Sequence, residues 1–96
     1  MAGEEIIPIE LFCTSYQVEE SFLETLESYG LISITIQDQR RFILTEEIVE
    51  LEKFSRLHYE LEINVPGIEA LQHMMERIKQ MQQELADLKA RLKIYE

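Results

Sequence analysis

Apolar residues near the start of the chain recur at helical spacing in two short runs, separated by a tight turn at Gln17. The first run opens at Pro8, because the missing N–H of a proline costs least at a first helical position. Its apolar members are Ile9, Leu11, Phe12 and Tyr16. The second run ends at Gly30, a residue type common where helices finish in a left-handed conformation. Its apolar members are Val18, Phe22, Leu23, Leu26 and Tyr29. The pattern predicts two short helices joined by a turn.

The next segment changes to a period of two, which is typical of a strand with one buried face. Apolar residues alternate with polar ones on either side of a polar tip at residues 37–41. The apolar positions are Ile32, Ile34, Ile36, Phe42 and Leu44. We predict a β-hairpin with Arg40 and Arg41 at or near its tip.

Helical spacing returns after residue 45. Thr45 is a suitable N-cap, and Glu46 and Glu47 suit the positive end of a helix dipole. The expected buried side of this third helix consists of Ile48, Leu51, Phe54, Leu57 and Leu61. We expect the helix to run to about Leu61 and to break at residues 63–65, before Pro66 opens a last helix.

The last helix carries an apolar stripe in which the spacing alternates between three and four residues, the pattern of a coiled coil. We call it the seam. It comprises Leu71, Met74, Ile78, Met81, Leu85, Leu88, Leu92 and Tyr95. A second copy of the chain is the simplest partner, so the seam predicts a homodimer. A parallel pair would join Glu84 to Lys89, whereas an antiparallel pair must shift register to keep Arg77 from Arg91, and both remain open. Residues 1–64 are expected to form the globular domain and residues 65–96 the dimerisation helix.

Two helices joined by a turn, followed by a hairpin wing, make a winged helix-turn-helix, whose second helix would enter the DNA major groove. The charge opposes that use. Residues 1–39 carry eight acids and no base, and the net charge of the chain is −10. Glu20, Glu24 and Glu27 lie on the expected outward face of the second helix, where DNA readers place arginine, lysine, asparagine or glutamine. We therefore expect a basic protein as partner, and neither nucleic acid nor a membrane.

Other classes of function find little support. Cys13, the one cysteine, has no neighbouring base to activate it, and His58 and His73 stand 15 residues apart without a cysteine pair. No glycine-rich phosphate loop or nucleophile-base constellation occurs. We expect no metal, no cofactor and no enzymatic activity. The acidic N-terminus and the absence of a long apolar run lead us to expect a cytoplasmic protein.

The order of these elements resembles the MerR-like winged-helix architecture. Particular residues narrow the resemblance: Phe12-Cys13, Gly30-Leu31-Ile32, Arg56-Leu57, residues 60–68, Glu84-Leu85 and Arg91-Leu92. This set is similar to the CbpM family of bacterial chaperone modulators and spans residues 9–92. The resemblance implies a small dimeric protein that binds the J domain of a DnaJ-like co-chaperone and blocks its stimulation of Hsp70. Basic residues that DNA-binding relatives place on the second helix are missing, so their transcriptional role does not carry over.

Two surfaces are candidates for the partner. The first is Glu20, Glu24 and Glu27, although a run of glutamates on a helix is more often a solvated face. The second consists of Arg40, Arg41 and Phe42 of the wing. Two rival functions stay open: a MerR-like transcription regulator that binds DNA through the wing arginines and bases on the later helices, and a coiled-coil adaptor whose partner is unrelated to chaperones.

Overall fold

The computed structural model describes residues 5–95, which form a mainly helical fold with a small antiparallel sheet. The elements in chain order are β1 (Ile6–Pro8), α1 (Ile9–Tyr16), α2 (Glu20–Ser28), β2 (Thr35–Gln37), β3 (Arg40–Leu44), a 3₁₀ turn (Thr45–Glu47), α3 (Ile48–Tyr59) and α4 (Val65–Ile94). The predicted fold class, a winged helix-turn-helix with a long C-terminal helix, is confirmed.

The two predicted helices of the helix-turn-helix are present, and each is followed by a residue whose backbone is in the left-handed conformation. Gln17 has a φ of 56°, and the Val18 N–H donates to the Cys13 carbonyl at 3.0 Å, which reverses the chain after α1. Gly30, with a φ of 75°, follows α2 in the conformation expected of it. The turn brings the apolar faces of α1 and α2 together, and Leu23 is fully buried between them and the rest of the core.

The wing is part of a three-stranded sheet in the order β1-β3-β2. Strands β2 and β3 are joined by Asp38 and Gln39, whose φ angles of 51° and 65° match a two-residue type I′ turn. On the other edge β1 pairs with β3, with Ile7 opposite Ile43. Strand β1 was not predicted, because Pro8 was assigned to the first helix. Pro8 is instead the last residue of β1 and immediately precedes α1.

The predicted inner face of the wing is wrong in β3, but before the turn it holds for Ile32, which is buried, and for Ile34, which packs against the core. In β3 the buried residue is Ile43, and its neighbours Phe42 and Leu44 are only partly covered. In β2 Ile36 is 70% exposed. The physical reason is that β3 is the central strand of the sheet, so β1 covers one of its edges and the helices cover the face that carries Ile43.

The boundaries of the third helix also differ from the prediction. Thr45 does not cap α3, because it begins the 3₁₀ turn and its hydroxyl faces the Glu5 carbonyl at 3.4 Å. Helix α3 starts three residues later and ends at Tyr59, two residues before Leu61. The chain then turns through Glu62, which has a φ of 57°, and Leu61 is 64% exposed rather than buried.

Helix α4 starts at Val65, one residue before the predicted start at Pro66, and its first turn adds to the core. The Asn64 side chain accepts a hydrogen bond from the Gly67 N–H at 2.8 Å, and Pro66 occupies the first turn. Val65 and Ile68 are buried with the helix-turn-helix core, so that core extends one turn beyond residue 64. The fully buried large side chains at its centre are Ile9, Phe12, Leu23, Leu26, Ile43, Leu51, Phe54 and Ile68.

Candidate protein-binding surface

The glutamates of α2 lie on one face of the helix, because they are spaced by four and three residues. Two of these glutamates form ion pairs with a residue of the wing. Arg41 of β3 reaches across to it, with one guanidinium nitrogen 2.6 Å from a Glu20 carboxylate oxygen and the other 2.5 Å from a Glu24 carboxylate oxygen. We call this contact the Arg41 clasp. A single guanidinium thus bridges two carboxylates that are one helical turn apart.

The alternation of side chains along β3 explains why Arg41 takes part in the clasp. Residues two apart in a strand share a face, so Arg41 lies on the same side as the buried Ile43 and points toward the helices. Arg40 and Phe42 lie on the opposite side, where the Arg40 guanidinium sits 5.5 Å from the centre of the Phe42 ring. The wing surface predicted from Arg40, Arg41 and Phe42 is therefore divided between the two sides of the strand.

Two further carboxylates hold the backbone that leads into the wing. Glu27 of α2 accepts a hydrogen bond from the Ile34 N–H at 3.2 Å. Glu47 accepts from the Ser33 N–H with both oxygens, at 3.2 and 3.0 Å. Burial raises the pKa of the Glu47 carboxyl, while the hydrogen bond from Ser33 opposes that rise. All three glutamates predicted to bind a partner thus have partners within the wing or its approach.

The charge of the surface remains negative. Helix α2 contains no lysine or arginine, and the single positive charge of Arg41 offsets only part of the negative charge of the three carboxylates. The hydrogen bond to Glu24 raises the pKa of Arg41, so its charge is retained at any ordinary pH. The Arg41, Glu20 and Glu24 side chains are 35%, 41% and 53% exposed, so water and salt reach the clasp.

Side chains of α1 and α3 line a polar groove that the local sequence patterns do not predict. The Tyr16 hydroxyl donates to a Glu52 carboxylate oxygen at 2.6 Å, a hydrogen bond that raises the pKa of Tyr16. The Tyr59 hydroxyl accepts from the Glu19 N–H at 3.0 Å, just before α2 begins. Both contacts join residues 36 or more positions apart, and no local pattern signals such pairs. Their effect is to hold α3 against the turn.

His58 is held by an aromatic neighbour and a backbone carbonyl. The His58 ring stacks on Phe22 with 4.5 Å between ring centres, and its Nδ1 lies 2.9 Å from the Ile63 carbonyl. His58 therefore packs against the core. Among residues 5–95, no group of three or more histidine, cysteine, aspartate or glutamate side chains is placed to hold a metal ion.

The seam of α4 is exposed along its whole length in the single chain. Its residues are between 38% exposed, at Leu71, and 87% exposed, at Tyr95. Ile78, Met81, Leu85 and Leu88 line a shallow apolar groove along one side of the helix. Charged residues flank this stripe, as Arg77, Glu84 and Arg91 each precede one of its members in the sequence. In the part of the chain that is described, no helix is both long and apolar enough to cross a membrane.

The order of elements and the wing define a winged helix-turn-helix protein. The family model described as MerR HTH family regulatory protein matches residues 7–90, and the chain belongs to that family. Its role is therefore regulatory. No curated protein and no solved structure gave a match.

Proposed function

We propose that this chain is a non-enzymatic regulator that binds a basic protein surface, and that its partner is the J domain of a DnaJ-like co-chaperone. One observation carries the proposal. The helix that reads base edges in DNA-binding relatives presents three carboxylates here, and the nearest cation, Arg41, is bound to two of them.

The same observation argues against the DNA-binding alternative. A protein stays on a duplex largely through lysine and arginine side chains that neutralise phosphates and release counterions. On the wing only Arg40 points away from the acidic helix, and Lys53 of α3 is paired with Glu50 at 3.1 Å. Phosphates brought against α2 would meet Glu20, Glu24 and Glu27, and the resulting repulsion would oppose binding.

The J domain enters through the resemblance to the CbpM family. A J domain meets Hsp70 through a basic surface, so an acidic module that binds this surface would compete with Hsp70 for it. Steric and electrostatic occlusion would then block stimulation of the Hsp70 ATPase. Complementary charge favours fast association and a marked salt dependence more than very high affinity.

The proposal includes a homodimer formed through the seam of α4. The apolar stripe repeats every three and four residues over residues 71–95, and none of its members belongs to the core of its own chain. A second α4 helix would cover it by knobs-into-holes packing. Charge pairing is available in a parallel pair, between Glu84 and Lys89, and in an antiparallel pair shifted to bring Arg77 to Glu84.

The first experiment is a calorimetric titration of the chain with the isolated J domain of a DnaJ-like co-chaperone, at low and at moderate salt. We expect saturable binding that weakens with salt, and no binding to duplex DNA at either salt. Absence of J-domain binding with both proteins folded would refute the proposed partner. DNA binding that weakens steeply with salt would support the transcription regulator instead.

A matched pair of triple variants locates the surface. The first is Glu20→Gln, Glu24→Gln and Glu27→Gln, and the second, with the same charge change, is Glu62→Gln, Glu76→Gln and Asp87→Asn. Only the α2 variant should weaken J-domain binding, and only it should fail to inhibit the J-stimulated ATPase of Hsp70. Equal effects of the two triple variants would show that net charge, and not the α2 surface, determines binding.

A further inference from the structure

The Arg41 clasp occupies the two carboxylates that a basic partner would use. Each Arg41 terminal nitrogen makes a short charge-assisted hydrogen bond, at 2.6 Å to Glu20 and at 2.5 Å to Glu24. We propose that Arg41 is an internal competitor, which keeps the α2 surface closed until an arginine of the partner replaces it. This inference rests on the function proposed above, because it concerns the same surface.

The exposure of the clasp allows such replacement. All three side chains are at least one-third exposed, and ion pairs in that setting are weak and screened by salt. The wing also has anchors other than these ion pairs. Ile43 anchors β3 in the core, and Glu27 holds the approach to β2 through the Ile34 N–H. Arg41 can therefore leave the glutamates while the wing stays in place.

The geometry of the clasp also specifies the chemistry of the incoming group. The clasp uses the fork of a guanidinium, since its two terminal nitrogens bind two different carboxylates one helical turn apart. Lysine offers a single ammonium on a flexible stem and bridges two such acceptors less well. The partner residue that opens the surface is accordingly an arginine.

The test compares Arg41→Gln with Arg40→Gln. Both remove one positive charge from neighbouring positions of β3, but only the first removes the clasp. Calorimetry with a hexa-arginine peptide, a hexa-lysine peptide and the isolated J domain measures the affinity of each variant. We expect Arg41→Gln to bind hexa-arginine about three to ten times more tightly than Arg40→Gln does, with a smaller gain for hexa-lysine.

Two additional controls are Arg41→Lys and a variant in which both carboxylate partners of Arg41 are replaced. Arg41→Lys retains the positive charge but not the fork of the guanidinium, so an affinity for hexa-arginine between those of wild type and Arg41→Gln identifies the bridging geometry as the cause. The same variant replaces Arg41→Gln in the test if Arg41→Gln does not fold. In a Glu20→Gln, Glu24→Gln background the gain from Arg41→Gln should disappear. The inference is overturned if Arg41→Gln and Arg40→Gln bind hexa-arginine equally. If the gain is present but no variant binds the J domain, the competition stands and the proposed partner is wrong.

Discussion

Leu85→Ala is the sharpest test of the seam. Leu85 lies in the middle of the apolar stripe and is 53% exposed in the single chain, so a second helix would cover about half of its side chain. Full burial of a leucine is worth about 1.5–3 kcal/mol, so covering half contributes roughly 1 kcal/mol. Both chains of a homodimer carry the change, which gives a loss of about 2 kcal/mol per dimer. The dimer dissociation constant should rise about 30-fold.

Sedimentation equilibrium over a concentration range that brackets the wild-type dissociation constant measures this change. Ile94→Ala is the matched control, because Ile94 is 79% exposed on the same helix but lies outside the seam. Alanine favours helix at both positions, so circular dichroism should show α4 intact in each variant. We expect Ile94→Ala to leave the dissociation constant within about twofold of wild type.

Three outcomes would contradict a homodimer formed through the seam. A wild-type chain that stays monomeric at every concentration would show that the seam does not mediate self-association. An unchanged dissociation constant in Leu85→Ala would place the interface elsewhere. Equal weakening by Leu85→Ala and Ile94→Ala would mean that apolar exposure in general, and not the spacing of the stripe, causes association.

Other predictions concern stability. Asn64→Ala removes the cap of α4 and should cost about 1 kcal/mol in urea unfolding, whereas Asn64→Ser should retain most of it. Gly30→Ala should cost roughly 1–2 kcal/mol from its φ of 75° alone, since no atom lies within 4 Å of the added Cβ; an unchanged midpoint would contradict this. Burial raises the pKa of Glu47 above its ordinary 4.5, so its protonation stabilises the fold at low pH and this contribution is lost as pH rises through the raised value. Glu47→Gln should therefore gain melting temperature relative to wild type as the pH is raised above the ordinary value of 4.5, and a relative loss on raising the pH would show the sign to be wrong.

The candidate surface was predictable in part. The glutamate spacing of α2 placed Glu20, Glu24 and Glu27 on one face, because helical geometry is local and the residues are neighbours in sequence. Their bonding partners were not predictable. Arg41 lies 21 and 17 residues from the two carboxylates that it bridges, and only the packing of the wing on α2 brings it there.

Sequence periodicity predicts the helix-turn-helix and the long last helix with its seam, and composition predicts the negative charge of α2. Each depends on local backbone geometry or on composition, and both can be read from the sequence without knowledge of the tertiary contacts. Three features depend on tertiary packing: β1 joins the sheet, Ile43 rather than Phe42 faces the core, and Arg41 pairs with the acidic face of α2. The reason is that apolar residues occur on both sides of β3, so the identity of its inner face depends on which elements cover the strand.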